Sequence, residues 1–377
     1  MKNDNDINLG PLIRWPLKKL AKRMGTEIPY TVTQVINSAF KDPRPERIDR
    51  RQTPNGWEFV YVFPPSMAYR EFEAKKEYFE TATGCRVAIE QVGKTGVLQV
   101  YTTKLQKQYN YEINPADLSG YELPLPLGYT LDGLFVVDLA TLPHFFINGP
   151  TGTGKSMCTR STATSLLTLR NEDLYLVVID YGEVDYFWLE DHALLVTEVE
   201  DGRKVLELLN KEMDRRNKLL RKHRAVKVQE LPDKIPFIVV LIDEFVEMAE
   251  DEESVSFVNR LLRKGRKAGI HIVAATQRLS HNSMKGAGDI KHNFPARFTF
   301  RCDAVNSRMV LGEGPQGDAA SRVPNIKGRG IYCDSDKVHE IQTFYIPPKQ
   351  AEKLVEELPA KRQVFHIEQP PPMLPAR

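Results

Sequence analysis

The segment Gly149-Pro150-Thr151-Gly152-Thr153-Gly154-Lys155-Ser156 limits what this chain can fold into more than any other, because it fits G-x-x-x-x-G-K-[ST] in full. Such a loop works only between a strand and a helix. Its glycines let backbone N–H groups approach phosphate oxygens, and the helix N-terminus favours the negative charge. Both neighbours are in place: the β-rich run His144–Asn148 precedes the loop, and the helix-forming stretch Met157–Leu169 follows it. Residues 149–157 are therefore predicted to bind a nucleotide, ATP with Mg²⁺. Lys155 is expected to neutralise β- and γ-phosphate charge, and Ser156 to offer its hydroxyl to the metal.

A phosphate loop of this kind needs a carboxylate near the metal. Ile238-Val239-Val240-Leu241-Ile242-Asp243-Glu244 supplies one, since a buried strand that ends in two acids places them at its carboxyl edge. Asp243 is predicted to help hold Mg²⁺, and Glu244 to orient or deprotonate an attacking water. Acids also suit the first turn of a helix, which accounts for Glu247 and Glu250 without any catalytic role. A third element is Ile270–Ala275 followed by Thr276-Gln277-Arg278. Gln277 can sense the γ-phosphate from there, although a Thr-Gln pair after a strand is also an ordinary polar turn.

The rest of the chain reads as an α/β protein with a mostly parallel sheet, preceded by a small α+β domain. Strands are expected at Phe135–Leu139, His144–Asn148, Leu174–Asp180, Phe237–Asp243, Ile270–Ala275 and Arg297–Phe300, with helices between several of them. Residues 1–53 look like a basic, proline-broken arm and 54–111 like a compact α+β domain. Residues 112–130 read as a Pro- and Gly-rich connector, 131–348 as the phosphate-loop domain, and 349–377 as a short helix with a Pro-rich tail. The longest aliphatic runs, Leu174–Ile179 and Phe237–Ile242, are far shorter than the roughly 20 residues that cross a bilayer. No start resembles a signal peptide, so a cytoplasmic location without an integral membrane segment is expected. Cys85, Cys158, Cys302 and Cys333 have no zinc spacing and read as reduced thiols.

Charge is unevenly placed. The chain carries 52 Lys and Arg against 50 Asp and Glu, yet residues 243–253 hold seven acids and no base. Residues 260–301 hold ten bases and one acid. Near-neutrality is thus the sum of segregated blocks and does not count against a nucleic-acid partner.

The ordered run of motifs resembles the FtsK/SpoIIIE family of DNA-translocating motors, within the wider FtsK–HerA group of hexameric ATPases. It extends from Leu125-Pro126-Leu127-Gly128 through the phosphate loop, Val178-Ile179-Asp180 and Glu212-Met213-Asp214-Arg215-Arg216. Leu241-Ile242-Asp243-Glu244-Phe245, Ala275-Thr276-Gln277-Arg278, Asn293-Phe294-Pro295-Ala296-Arg297 and Ser307-Arg308 complete it. The resemblance implies a RecA-like P-loop NTPase that drives DNA, double-stranded by analogy, through a homohexameric ring. The 54–111 segment resembles the smaller domain that forms a second tier in that family. One departure is Tyr181-Gly182, where family members usually carry a lysine soon after the aspartate.

Further roles follow from the resemblance alone. Arg216 and Arg301 match arginine-bearing family positions, and either is expected to complete a neighbour's site. Loop 281–293, with Lys285 and Lys291, and loop 312–330, with Arg322, Lys327 and Arg329, are expected to touch DNA phosphates. No room remains after residue 348 for a sequence-reading winged helix. By analogy the chain therefore looks more like the FtsK-like proteins of plasmids, integrative elements and phages, expected to act with a membrane or relaxosome partner. A genome-packaging ATPase and an FtsK-like protein-secretion motor are the alternatives.

Overall fold

The computed structural model describes residues 27–182, 185–277, 279, 293–314, 316–335 and 337–360, and these divide into two compact units, before and after Lys104. The first unit is a four-stranded antiparallel sheet of order β1-β2-β4-β3, formed by β1 (Glu46–Thr53), β2 (Gly56–Val62), β3 (Arg86–Val92) and β4 (Thr95–Tyr101). Helices α1 (Glu27–Ala39), α2 (Tyr69–Glu73) and α3 (Lys76–Thr83) cover one face. Phe59, Tyr61, Val87, Leu98 and Val100 alternate inward from the strands and meet Val32, Val35, Phe72 and Phe79 from the helices.

The expected 1–53 arm is corrected here for its described part. Val32, Val35 and Ile36 recur at helical spacing and are buried in the same core, so residues 27–53 belong to this unit as α1 and β1. β1, ERIDRRQT, gives no apolar alternation because it is an edge strand, exposed along almost its whole length. Residues 69–83 form two short helices with a turn between them.

The second unit is built on an eleven-stranded sheet. Its parallel half runs β10 (Leu194–Val196), β9 (Leu174–Ile179), β11 (Phe237–Ile242), β12 (Ile270–Thr276), β8 (His144–Asn148) and β13 (Ala296–Phe300). An antiparallel half continues through β14 (Arg329–Cys333), β15 (Val338–Tyr345), β6 (Pro124–Thr130) and β7 (Gly133–Asp138), with β5 (Tyr109–Asn110) beside β15. The central strands are buried on both faces, which is why they read as unbroken apolar runs. Alternate residues serve different cores. Val239, Leu241 and Val273 face one layer, whereas Ile238, Val240 and Ile272 face the other.

The first layer is covered by α4 (Lys155–Arg170) and α10 (Pro348–Glu356), and the second by α5 (Val199–His223) and α7 (Glu252–Lys264). Three short helices, α6 (Phe245–Met248), α8 (Ala304–Leu311) and α9 (Ala319–Arg322), complete the unit. α4 is buried although it is rich in Ser and Thr. Its hydroxyls bond back into its own turns, as Ser161 to the Cys158 carbonyl and Thr164 to the Arg160 carbonyl, both at 2.9 Å. The 112–130 connector is also corrected. Pro124–Thr130 is a strand, because Gly128 at φ 154° lets the β15 backbone come too close for any Cβ.

Candidate functional site

The parallel strands deliver their carboxyl ends to one edge of the sheet, and the chemistry-bearing residues gather there. The loop after β8 is closed on itself by Thr153 N–H to the Pro150 carbonyl at 3.2 Å and tied to β12 by Gly149 N–H to the Thr276 carbonyl at 3.1 Å. Gly154, at φ 122°, caps α4 where a Cβ would press on Gly328. Its neighbour Lys155 is only 4% exposed, so its ammonium needs a partner inside the protein. That partner is Asp243: Nζ donates to the Asp243 carbonyl at 3.0 Å and to Oδ2 at 3.2 Å, with Glu244 Oε2 at 4.0 Å. The two motifs, 88 residues apart in sequence, therefore share one lysine.

Each acid is held by a third group. Thr276 donates its hydroxyl to Glu244 Oε1, and the Gln277 amide donates to Oε2 at 2.9 Å. Burial raises the Glu244 carboxyl above the ordinary range, while these donors and Lys155 pull the other way. Gln277 also accepts from the Thr151 hydroxyl at 2.8 Å, which links the third element to the phosphate loop. Asp243 Oδ1 accepts from the Tyr186 hydroxyl at 3.0 Å, and that hydroxyl stands 2.8 Å from Thr159 Oγ1. Tyr186 carries no motif signal, since it arrives from an irregular segment after β9 and only the fold brings it under the acids.

A cavity of about 450 Å³ opens in front of Glu244, lined by Asp180, Asp185, Asp243, Glu247 and Gln277. Burial, then the neighbouring Asp243, raises the Asp180 carboxyl. A second cavity of about 200 Å³ lies over Gly149–Met157, with Arg160 and Lys327 on its rim. The Ser156 hydroxyl and the carboxylates around Lys155 form an all-oxygen donor set, the kind that suits a hard divalent cation. Among the described residues no cluster of three or more His, Cys, Asp or Glu is arranged as a metal site by itself. A cation here would therefore draw on its nucleotide for the remaining ligands.

The other expected site residues divide. Arg216 does not face a neighbour. It is 2% exposed, donates to Glu212 Oε1 at 2.7 Å and the Ala268 carbonyl at 2.8 Å, and lies at the opposite edge of the sheet. Arg329 is equally committed, to Glu340 and Gln342 at 2.8 Å and the Gln106 carbonyl at 2.7 Å, and at 4% exposure it is out of reach of DNA. Arg301 is exposed and donates to the Val323 carbonyl at 2.7 Å. Arg322 is exposed and pairs with Asp318 at 3.1 Å. Lys327 stands on the rim of the phosphate-loop cavity, and Lys285, Lys291 and Arg278 lie outside the described residues.

The FtsK/SpoIIIE family profile matches residues 111–236 and 225–281, which contain the phosphate loop, Tyr186, Asp243, Glu244 and Gln277. The DNA translocase FtsK of Chlamydia muridarum is 34% identical over 218 residues, 51% of this chain and 27% of that protein. That of Borreliella burgdorferi is 32% identical over 261 residues, 63% of this chain and 32% of that protein. The chain thus spans about a third of the length of the curated relatives it matches. Among solved structures, the pCW3 conjugation coupling protein TcpA in its monomer form with ATPγS superposes at a TM-score of 0.61 with 22% identity, covering 83% of this chain and 93% of that one. The cytoplasmic domain of the Thermomonospora curvata type VII secretion ATPase EccC gives 0.56 at 22% identity, covering 69% and 34%. Both likenesses concern the P-loop fold. Among the described residues no helix is long and apolar enough to cross a membrane.

Proposed function

We propose, from the match of residues 111–281 to the FtsK/SpoIIIE family profile, that the chain is an ATPase that drives the translocation of duplex DNA. The observation that carries the reading is the convergence of Lys155, Asp243 and Glu244 beside a cavity at the carboxyl edge of the parallel sheet. Lys155 leaves Asp243 for the β- and γ-phosphates when they enter, a move that exchanges one anionic partner for another. Ser156 and Asp243 would hold Mg²⁺, which when bound neutralises phosphate charge as it develops. Glu244 takes the proton of a water. The water oxygen forms a bond to the γ-phosphorus as the bond to the β,γ-bridging oxygen breaks. Raised by burial and aimed by Thr276 and Gln277, Glu244 is a better base than an exposed carboxylate.

DNA is the cargo we favour because the sequence relatives above 30% identity are DNA translocases. Contacts to its backbone would be independent of sequence and weaken steeply with salt. In this reading the chain works as a homohexameric ring in the transfer or segregation of mobile-element or phage DNA. Arg301, exposed at the end of β13, is then the arginine offered to a neighbour.

The test is ATP turnover with and without linear duplex DNA, together with displacement of a triplex-forming strand over a range of salt. DNA should stimulate turnover and displacement should require ATP. Glu244→Gln and Lys155→Ala should each lower turnover by roughly 100-fold or more. Hydrolysis that ignores DNA even at low salt would sink the translocase reading.

A further inference from the structure

The four-stranded sheet of the first unit is covered by helices on one face only, among the described residues. Directly opposed residues of an antiparallel pair point to the same side, so the register sets what the other face presents. Asp49 stands opposite Val60, Val60 opposite Val97, and Val97 opposite Glu90. The next row runs through Glu46, Val62, Thr95 and Val92. A strip of valines therefore crosses the face, with carboxylates on the β1 side and on the β3 side. Val62 is 38% and Val92 59% exposed, which leaves that end of the strip open to water. Arg51, the cation on the same face of β1, is taken by Glu58 at 2.7 Å. Glu46, Asp49 and Glu90 form no ion pair among the described residues.

A cover that fits such a face carries an apolar stripe flanked by cations. The sequence before Glu27 holds one. In Leu17-Lys18-Lys19-Leu20-Ala21-Lys22-Arg23-Met24 the apolar residues recur at i, i+3, i+4 and i+7, and the other four are all basic. We propose that residues 17–24 of the same chain dock on the open face, apolar side against the valines and cations against Glu46, Asp49 and Glu90. The point of attachment permits it. Burial raises the Cys85 thiol and the Glu27 carboxylate adds to the shift, which puts Glu27 near Cys85 at the start of β3. Glu90 lies further along that strand, about 13 Å away at about 3.3 Å per residue. An eight-residue helical stretch covers about 12 Å and two extended linking residues add about 7 Å, so the segment reaches the acids. So short a tether gives it an effective concentration on the order of millimolar, which a free partner of the same chemistry has to exceed.

The experiment is zero-length carbodiimide cross-linking of the full chain, read by mass spectrometry, beside the rate of tryptic cleavage after Lys18, Lys19, Lys22 and Arg23. Amide links from Lys18, Lys19 or Lys22 to Glu46, Asp49 or Glu90 are expected within one chain. Asp49→Lys with Glu90→Lys changes two exposed positions. It should remove the links and speed cleavage by roughly tenfold, because cleavage follows the open population. Lys18→Glu with Lys22→Glu, added to that pair, reverses the charge on both sides. Cleavage after Lys19 and Arg23 should then be slower by a similar factor than with Lys18→Glu and Lys22→Glu alone. Absence of links in the wild type, or cleavage that ignores both reversals, overturns the cover. So do links that join two chains, read from a mixture of isotope-labelled and unlabelled protein. A basic segment of this pattern also suits an anionic membrane surface. If wild type and Asp49→Lys with Glu90→Lys both bind phosphatidylglycerol vesicles, and equally tightly, the segment serves the membrane and the docking on the sheet fails.

Discussion

The two edges of the parallel sheet bury charge in similar amounts and use it in opposite ways. At the carboxyl edge Lys155, Asp243 and Glu244 meet beside a cavity of about 450 Å³, and each has a partner that an incoming phosphate or cation can replace. At the amino edge Arg216 donates to Glu212 and to the Ala268 carbonyl, with His271 nearby and His144 packed against His271. Burial of a charged group is therefore not a mark of function. Strands end at the carboxyl edge in loops that leave space, whereas at the amino edge the returning helix α5 fills it.

The largest effect of a single substitution that tests this contrast is on stability. Arg216→Ala removes the cation that joins α5 to the start of β12, and should cost about 3 kcal/mol by denaturant unfolding. That is the lower end of the range for a broken buried pair, because Arg215 still holds Glu212 at 2.6 and 2.7 Å. At a temperature where the variant is folded, its ATP turnover should lie within about twofold of wild type. A variant of unchanged stability whose turnover collapses would return Arg216 to the catalytic edge.

The next effect is acid lability. Burial, with His271 nearby, lowers His144 to about 3, and burial lowers His271 to about 4 despite the Pro143 carbonyl and Asp138. Both rings are neutral in the folded chain, whereas the unfolded chain protonates them below about pH 6.5. Stability is consequently whole above that value and falls as pH drops towards 4, by about 2 kcal/mol per ring between pH 7 and 5. His144→Asn with His271→Asn keeps an amide where each Nδ1 makes its bond, to Ile272 N–H and the Pro143 carbonyl, and removes the titration. Unfolding of that variant should show a much flatter pH slope. An equal slope would place the titration elsewhere.

How legible each edge was follows from the same contrast. The phosphate loop, Asp243-Glu244 and Gln277 sit at strand ends, so a local pattern of apolar run followed by polar residue finds them. Arg216 appears in an equally recognisable stretch, EMDRR, but a helix presents five neighbouring residues to different surroundings and the pattern does not tell which face is buried. Arg329 misled for another reason. Its loop is basic in sequence, yet the residue begins β14 and turns into the sheet, where Glu340 and Gln342 of β15 await it. β1 and β6 were hidden by charge and by proline, the features that edge strands and bulged strands tolerate.

Tyr186 offers the smallest effect and the finest probe of the carboxyl edge. Its hydroxyl donates to Asp243 Oδ1 while Lys155 holds Oδ2, so the carboxylate is gripped from both sides. Removing only the hydroxyl leaves the ring to fill its place in the core, and Tyr186→Phe should lose no more than about 1 kcal/mol of stability. The loss should instead appear in how Asp243 meets its cation. The half-saturating Mg²⁺ concentration for ATP hydrolysis should rise by roughly tenfold, the lower end for one hydrogen bond to a charged group, with smaller change in turnover at saturating Mg²⁺. If Mg²⁺ dependence is unaltered while stability falls by several kcal/mol, Tyr186 belongs with Arg216 as a purely internal tie. In that case the division between the two edges runs through Asp243 itself, with one oxygen committed to the fold and the other to the ligand.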